Sequence, residues 1–304
     1  MARRGADDAE AGMIDAVASG LPASVRLTAS GTIAELRRDD LTDAGVVLAI
    51  DGAEQSHVEV DDPEVLLHDY TVRKAAILRT AARELASPHA GGTALHLGAG
   101  ALTMPRWLAH RAPGLEHTVV DIEPELVDFV LEHVPMRPAP RSIVADAARV
   151  FDDGALAGEQ FDIMMVDLFN SSEAPEALTS TAFHRTTLGA TAEGGLLLMN
   201  LGDEPPMDFA AEQVRRVAQA LDLLDAAQDD GGDGADGGDR GDDLWGRLLL
   251  TAPADVVAGE AEGNLVLAVS PQAPFLETTL NAVWASGPHP GETLTGAALR
   301  DWAG

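Results

Sequence analysis

The chain is predicted to be an α/β protein, with a small N-terminal β-domain ahead of a larger domain built on a parallel sheet that ends in an antiparallel hairpin. Three observations predict this. A glycine-punctuated unit runs from Ala94 to Asp121. Short β-branched runs crowd the stretch from Ser24 to Val60. From Ala94 onward, apolar strand-like runs alternate with helical patterns.

The β-domain is expected over residues 21–62. Its strands are Ser24–Ala29, Thr32–Leu36, Val46–Ile50 and Ser56–Val60, separated by the turn formers Ser30-Gly31, Asp43-Ala44-Gly45 and Asp51-Gly52. Asp62-Pro63 breaks the chain. A helix is expected over Glu64–Ala86, where Val65, Leu66, Val72, Ala76, Ile77 and Ala81 keep helical spacing. In the α/β domain, residues 63–304, strands are expected at Ala94–Leu97, Thr118–Val120, Ser142–Val144, Ile163–Val166 and Leu196–Asn200. Helices are expected at Thr103–His110, Glu123–His133, Thr181–Gly189 and Met207–Leu224. Strands separated by helices imply parallel pairing with right-handed crossovers. Leu248–Ala252 and Leu265–Ser270 supply the closing hairpin. Residues 1–20 read as a disordered leader, without the apolar stretch of a secretory signal. The aspartate- and glycine-rich stretch 228–243 has nothing to bury and reads as a disordered loop.

The most informative unit is the one around the glycines. The apolar run Ala94, Leu95, Leu97 stops at Gly98-Ala99-Gly100; a helix follows, and a second strand ends in Asp121. Strand, glycine turn, helix, strand and acid form the Rossmann-like half-fold that binds a nucleoside at the carboxyl ends of parallel strands. The glycines admit a ligand close to the backbone, and the acid about 20 residues on accepts from a ribose diol. A dinucleotide site wants a third glycine against the pyrophosphate. Here Thr103 stands in that place, which fits a cofactor without phosphates, such as S-adenosylmethionine and its relatives.

Composition narrows the partners. The net charge is −30, with a single lysine, Lys74, among the basic residues. Such a chain repels nucleic acid and anionic membranes, and no apolar run reaches the roughly 18 residues of a membrane span. Without cysteine there is no disulfide, thiolate zinc site or cysteine nucleophile, which suits a cytoplasmic protein. The histidines show no metal-ligand spacing, the aspartate-rich stretch matches no calcium loop, and no metal is expected. No serine-hydrolase elbow occurs.

Asp167 is the main candidate for chemistry. It ends the buried run Ile163-Met164-Met165-Val166, at the carboxyl edge of the fourth α/β strand, where ligands bind in open sheets. A carboxylate there takes the proton of an attacking amine. An alkyl amine of pKa near 10 is only about 0.1% neutral at pH 7, a cost of roughly 4 kcal/mol that such a base lowers. Asp146-Ala147 follows the third strand. Asp146 suits either an adenine amino group or the N-cap of a short helix over Ala147–Phe151. Glu123 reads as a helix N-terminal acid favoured by the macrodipole, and His96 as a structural histidine inside a strand.

Together these residues resemble the spermidine synthase family of polyamine aminopropyltransferases, and more closely its divergent actinobacterial relatives. The resemblance spans Val46 to Leu201. It rests on Asp51-Gly52-x-x-Gln55, Tyr70, the glycine turn, Val120-Asp121-Ile122-Glu123-Pro124, Asp146-Ala147 and the run Phe161–Asp167. It implies a small β-domain on a class I methyltransferase-type fold, and aminopropyl transfer from decarboxylated S-adenosylmethionine to a putrescine-type amine. By resemblance, Gln55, Gly98, Gly100, Asp121, Ile122, Asp146 and Ala147 hold the cofactor, with Asp121 on the ribose hydroxyls and Asp146 with Ala147 on the adenine. Tyr70 and Asn170 meet the small-molecule amine substrate, and Asp167 is the catalytic acid/base. A homodimer is compatible with it. The chain departs from the family pattern in several places. Ala101 and Leu102 stand in the stretch where the family has an aspartate for the cofactor's terminal amine. Asp167 is followed by Leu168-Phe169-Asn170, with Asn170 replacing the aspartate that holds the far amine of putrescine. Thr71-Val72 follow Tyr70, and the family's second tyrosine is missing. Those departures keep two alternatives open, a methyltransferase using intact S-adenosylmethionine and a nucleoside-binding relative without polyamine activity. They also imply weak discrimination between the decarboxylated and intact cofactors.

Overall fold

A computed structural model describes residue 17 and residues 19–82, 91–152, 154–169, 174–229, 244–287 and 291–304. Asn170, most of the expected leader and residues 230–243 of the expected loop lie outside the described residues.

Four strands, β1 (Ala23–Arg26), β2 (Ile33–Arg38), β3 (Gly45–Ile50) and β4 (Ala53–Glu59), form an antiparallel meander in sequence order. Their alternation buries Ala34, Leu36, Val46, Leu48 and Val58 against α3 (Leu126–His133), with Val127 and Val130 in the same apolar cluster. The helix α1 (Asp69–Ala81) follows. It starts later than the helical spacing implied. Asp62 closes a turn instead, its carboxylate accepting from the Glu64 N–H at 3.0 Å and its carbonyl from the Val65 N–H.

The second sheet holds β5 (Gly92–Leu97), β6 (Leu115–Asp121), β7 (Arg141–Val144), β8 (Phe161–Phe169), β9 (Thr191–Asp203), β10 (Leu248–Pro253), β11 (Gly263–Val269) and β12 (Gly291–Thr295). Their spatial order is β12-β10-β11-β9-β8-β5-β6-β7. The pairs from β9 to β7 are parallel, and β11 joins β9 antiparallel, with β10 antiparallel to β11. The expected hairpin is therefore present, with β11 rather than β10 against the parallel set. β12 adds a strand on the far edge, antiparallel to β10. Its weakly apolar sequence GETLT gave no strand signal.

Helices cover both faces, among them the single-turn α4 (Glu176–Thr179) and α7 (Ala254–Val257). One apolar cluster lies beneath α5 (Thr181–Gly189), α6 (Asp208–Asp229) and α9 (Gly296–Ala303). The other lies beneath α1, α2 (Thr103–Arg111) and α8 (Glu277–Trp284). Covered on both sides, β5 buries Ala94, Leu95, His96 and Leu97 in succession. α6 runs through Gln228 and Asp229, two residues into the stretch expected to be a loop, as its helical hydrogen bonding carries past the last apolar residues. No described helix is long and apolar enough to cross a membrane.

Chain order reverses at β5. The chain moves to β6 and β7 on one side, then to β8 and β9 on the other. A crevice opens outside the carboxyl ends of strands at such a switch point.

Candidate functional site

At that switch point lies a cleft of about 1040 Å³, walled on one side by Ser30, Ile50 and Gln55 of the antiparallel sheet and its turns, and on the other by Gly98, Asp121 and Asp167. Register brings the last three together: Leu97 pairs with Val120 of β6 and with Val166 of β8.

Backbone packing explains both glycines. Gly98 has φ +94°, and a Cβ there would strike the Asp167 carbonyl oxygen. Gly100 has φ +49°, and its Cβ would meet Ser56 Oγ at 2.5 Å. Ser56 Oγ accepts from the Ala101 N–H at 3.1 Å, and Thr103 Oγ1 donates to the His57 carbonyl at 2.8 Å, so β4 braces the glycine turn. Ala101 is 1% exposed and packs with Leu102 in the apolar cluster beneath the antiparallel sheet, away from the cleft wall. A carboxylate at this position would be buried among apolar groups rather than presented to a ligand.

Asp121 ends β6. Its Oδ2 accepts from the Ala99 N–H and its Oδ1 from the Glu123 N–H, both at 2.9 Å. Burial pushes its pKa up, and these backbone donors pull it down in part. A carboxylate offers about four lone-pair sites, so two hydrogen bonds leave room for hydroxyl donors. Ile122 beside it is 57% exposed and lines the cleft, an apolar surface beside the ribose acceptor.

Glu123 corrects a sequence expectation. α3 begins only at Leu126, and the Glu123 carboxylate accepts instead from the Ala29 and Ser30 N–H groups at 2.9 and 2.8 Å. Glu125 holds the preceding Thr28 through its N–H and hydroxyl. Both acids clasp the β1–β2 turn to the second sheet, the Glu123 bonds partly buried and the Glu125 bonds exposed.

Asp146 and Ala147 are not among the residues lining the cleft. Asp146 is exposed, and its Oδ1 accepts from the Ala148 N–H at 2.9 Å. It closes a turn over Ala147–Val150, where a short helix was expected. Ala147 belongs to the core. Gln55 lines the cleft, with its Nε2 3.4 Å from the Ala53 carbonyl.

Asp167 lies in a polar chain that sequence reading missed. Lys74 Nζ donates to Asp167 Oδ2 at 2.8 Å, and Asn200 Nδ2 donates to Asp167 Oδ1 at 3.0 Å and to Asn264 Oδ1 at 3.1 Å. Lys74 is fully buried, whereas the Asp167 side chain is 31% exposed toward the cleft. The Lys74 ammonium also lies 4.8 Å from the centroid of the Tyr70 ring. Burial, and then the Asp167 carboxylate, push the Tyr70 phenol well above its usual pKa, so Tyr70 stays a neutral donor. Next along α1, Arg73 is also fully buried and donates to Asp69 at 2.6 Å and to Thr251 at 3.1 Å. Two signals in the sequence bear on it: a single lysine among arginines, and an asparagine closing the run Leu196-Leu197-Leu198-Met199-Asn200.

His96 keeps its structural reading. Its Nε2 lies 3.2 Å from His117 Nδ1 in a buried pair, and burial pushes His96 well down and His117 down to about 4. Among the described residues, no group of three or more acids and histidines is arranged to hold a metal ion.

No family model matches the chain. No curated protein matches it either. Solved structures do. A probable spermidine synthase from Corynebacterium glutamicum is similar over 93% of this chain and 94% of its own length, with a TM-score of 0.72 at 22% identity. A spermidine synthase in complex with the transition state analogue AdoDATO matches over 84% of this chain and 74% of its own, with a TM-score of 0.50 at 11% identity. At such identities the likeness is one of fold. The chain has the spermidine synthase-like fold, a small antiparallel sheet set before a methyltransferase-type α/β sheet.

Proposed function

We propose that the protein is a spermidine synthase-like transferase that moves the aminopropyl group of decarboxylated S-adenosylmethionine to an amine acceptor. The observation that carries this reading is the convergence of the glycine turn, Asp121 and Asp167 on one cleft at the switch point. Asp121 takes the ribose hydroxyls with its remaining lone pairs. Ile122 offers the adenine an apolar face. The sulfonium supplies an electrophilic carbon and a neutral thioether leaving group. Asp167 accepts the proton as the acceptor nitrogen forms its bond to that carbon and the C–S pair returns to sulfur. Tyr70 and Asn200 orient the reacting groups, Tyr70 from the first turn of α1 and Asn200 through its bond to Asp167. The proposed setting is cytoplasmic, with a small-molecule amine as partner.

Methyl transfer from intact S-adenosylmethionine is the second reading. It is supported by the burial of position 101 in the apolar cluster, which takes that side chain out of contact with the terminal ammonium of a decarboxylated cofactor. Calorimetric titration with both cofactors side by side separates the two. A preference above about a hundredfold for the decarboxylated form, roughly 2.7 kcal/mol, supports aminopropyl transfer. A comparable preference for the intact form supports methyl transfer, and binding of neither refutes both.

A further inference from the structure

We propose that Lys74, set behind the cleft wall, takes up the Asp167 charge that an acceptor ammonium would otherwise meet, so that the acceptor subsite rejects a diamine and takes an acceptor that is neutral when it binds. The inference rests on the cleft being the transfer site proposed above, and it names the acceptor class that site admits.

The two groups that would greet an acceptor amine are the Asp167 carboxylate and the Tyr70 ring. The Lys74 ammonium already contacts both, at 2.8 Å from Oδ2 and 4.8 Å from the ring centroid. An aromatic face and a carboxylate around one cation form a complete ammonium site, and here the cation is covalently part of the protein. Lys74 is fully buried, and Asp167 is the carboxylate it pairs with. The neighbouring carboxylates on this wall are also matched. Asp69 holds Arg73, and Glu54 holds His68 at 3.0 Å and Arg37 at 3.7 Å. The lining acids without a cation partner among the described residues are Asp121 and Glu123, committed to backbone N–H groups, and the exposed Glu262 beside Asn264. An incoming ammonium would thus meet at the reacting end a carboxylate already paired with the cation behind it, and that nearby like charge disfavours it.

The same arrangement serves a neutral acceptor. Asp167 keeps unused lone pairs toward the cleft, since Lys74 and Asn200 occupy one on each oxygen. As a neutral N–H or O–H acceptor attacks the carbon next to sulfur, its proton passes to Asp167 and the C–S electron pair leaves with the thioether.

The experiment titrates putrescine into wild type and Lys74→Met at low salt by calorimetry. Methionine keeps the length and apolar stem of lysine and removes the cation. Putrescine should bind Lys74→Met at least about tenfold more tightly than wild type. Equal or tighter binding to wild type overturns the inference. A second measurement needs no variant: wild type should bind putrescine no more than about twofold more tightly than the amino alcohol of the same chain length. A tenfold preference for putrescine overturns the inference even if Lys74→Met does not fold. Titration of methylthioadenosine into wild type separately tests the nucleoside site. Its failure strikes the proposed function and leaves the amine titrations to decide the role of Lys74.

Discussion

Asp121→Asn separates a ligand-binding carboxylate from a structural one. In wild type, Asp121 accepts from the Ala99 and Glu123 N–H groups, both at 2.9 Å. The amide keeps one acceptor oxygen and turns an NH₂ toward the other donor, so one charge-assisted bond worth about 1.5–3 kcal/mol is lost. Burial disfavours the Asp121 carboxylate, as its raised pKa shows, and neutralising it returns part of that cost. The net loss of stability should therefore fall near the low end, about 1–2 kcal/mol, read from urea unfolding. Binding should suffer separately. Charge-assisted bonds are roughly twice as strong as neutral ones, and two ribose hydroxyls meeting an amide would lose about 1.5–3 kcal/mol, a rise of about 10–150-fold in the Kd for methylthioadenosine. The pH dependence adds a signature. Burial makes the folded protein hold the Asp121 proton to higher pH than the unfolded chain, while hydroxyl donors favour the carboxylate. Wild-type affinity should then rise with pH through the Asp121 titration, and the variant should show no such rise. A variant that loses stability but binds methylthioadenosine within twofold of wild type would reduce Asp121 to a clasp for the glycine turn.

Asp167→Asn, which keeps the shape and removes the proton acceptor, should leave cofactor affinity within a few-fold and lower turnover by about 10²–10⁴; retained turnover would place the base elsewhere. Gly98→Ala should cost more than the roughly 1–3 kcal/mol of a strained backbone, because at φ +94° its Cβ also strikes the Asp167 carbonyl, and an unfolding midpoint equal to wild type would show that the turn relaxes freely. His184 is buried against Gln213 at 2.9 Å, and burial holds it down to about 4 from 6.5. Its stabilisation is present above the unfolded value and is lost as pH falls through about 4. It contributes about 3 kcal/mol across that window, at a slope near 1.4 kcal/mol per pH unit. His184→Gln should flatten the wild-type fall by that slope, and parallel stability curves would remove histidine burial from the acid response.

Much of the architecture was legible from local chemistry. The strand over Ala94–Leu97, the glycine turn and the acid at Asp121 were read in order because each obeys a short-range rule: buried parallel strands are continuously apolar, tight turns need glycine, and an acid ends the next strand. The helix expected at about Thr181–Gly189 forms there, and Ser180 caps it by accepting from the Phe183 N–H at 3.2 Å. What failed depended on partners distant in the chain. Glu123 looked like a helix acid, yet it serves Ala29 and Ser30, more than ninety residues away. Ala101 looked like a vacant ligand position, yet its side chain belongs to the apolar cluster under the antiparallel sheet. Lys74 was noticed only for being alone of its kind. Nothing within a few residues of it indicates that α1 presses that side chain beneath the sheet edge to meet Asp167, 93 positions on. Periodicity and turn chemistry mark most of the strands and helices and the strand ends that carry acids, but not β12, α8 or α9, whose short and weakly patterned runs form against the rest of the fold. How the charge of each acid is met is set by tertiary packing, because it depends on which side chains the two sheets bring within hydrogen-bonding distance.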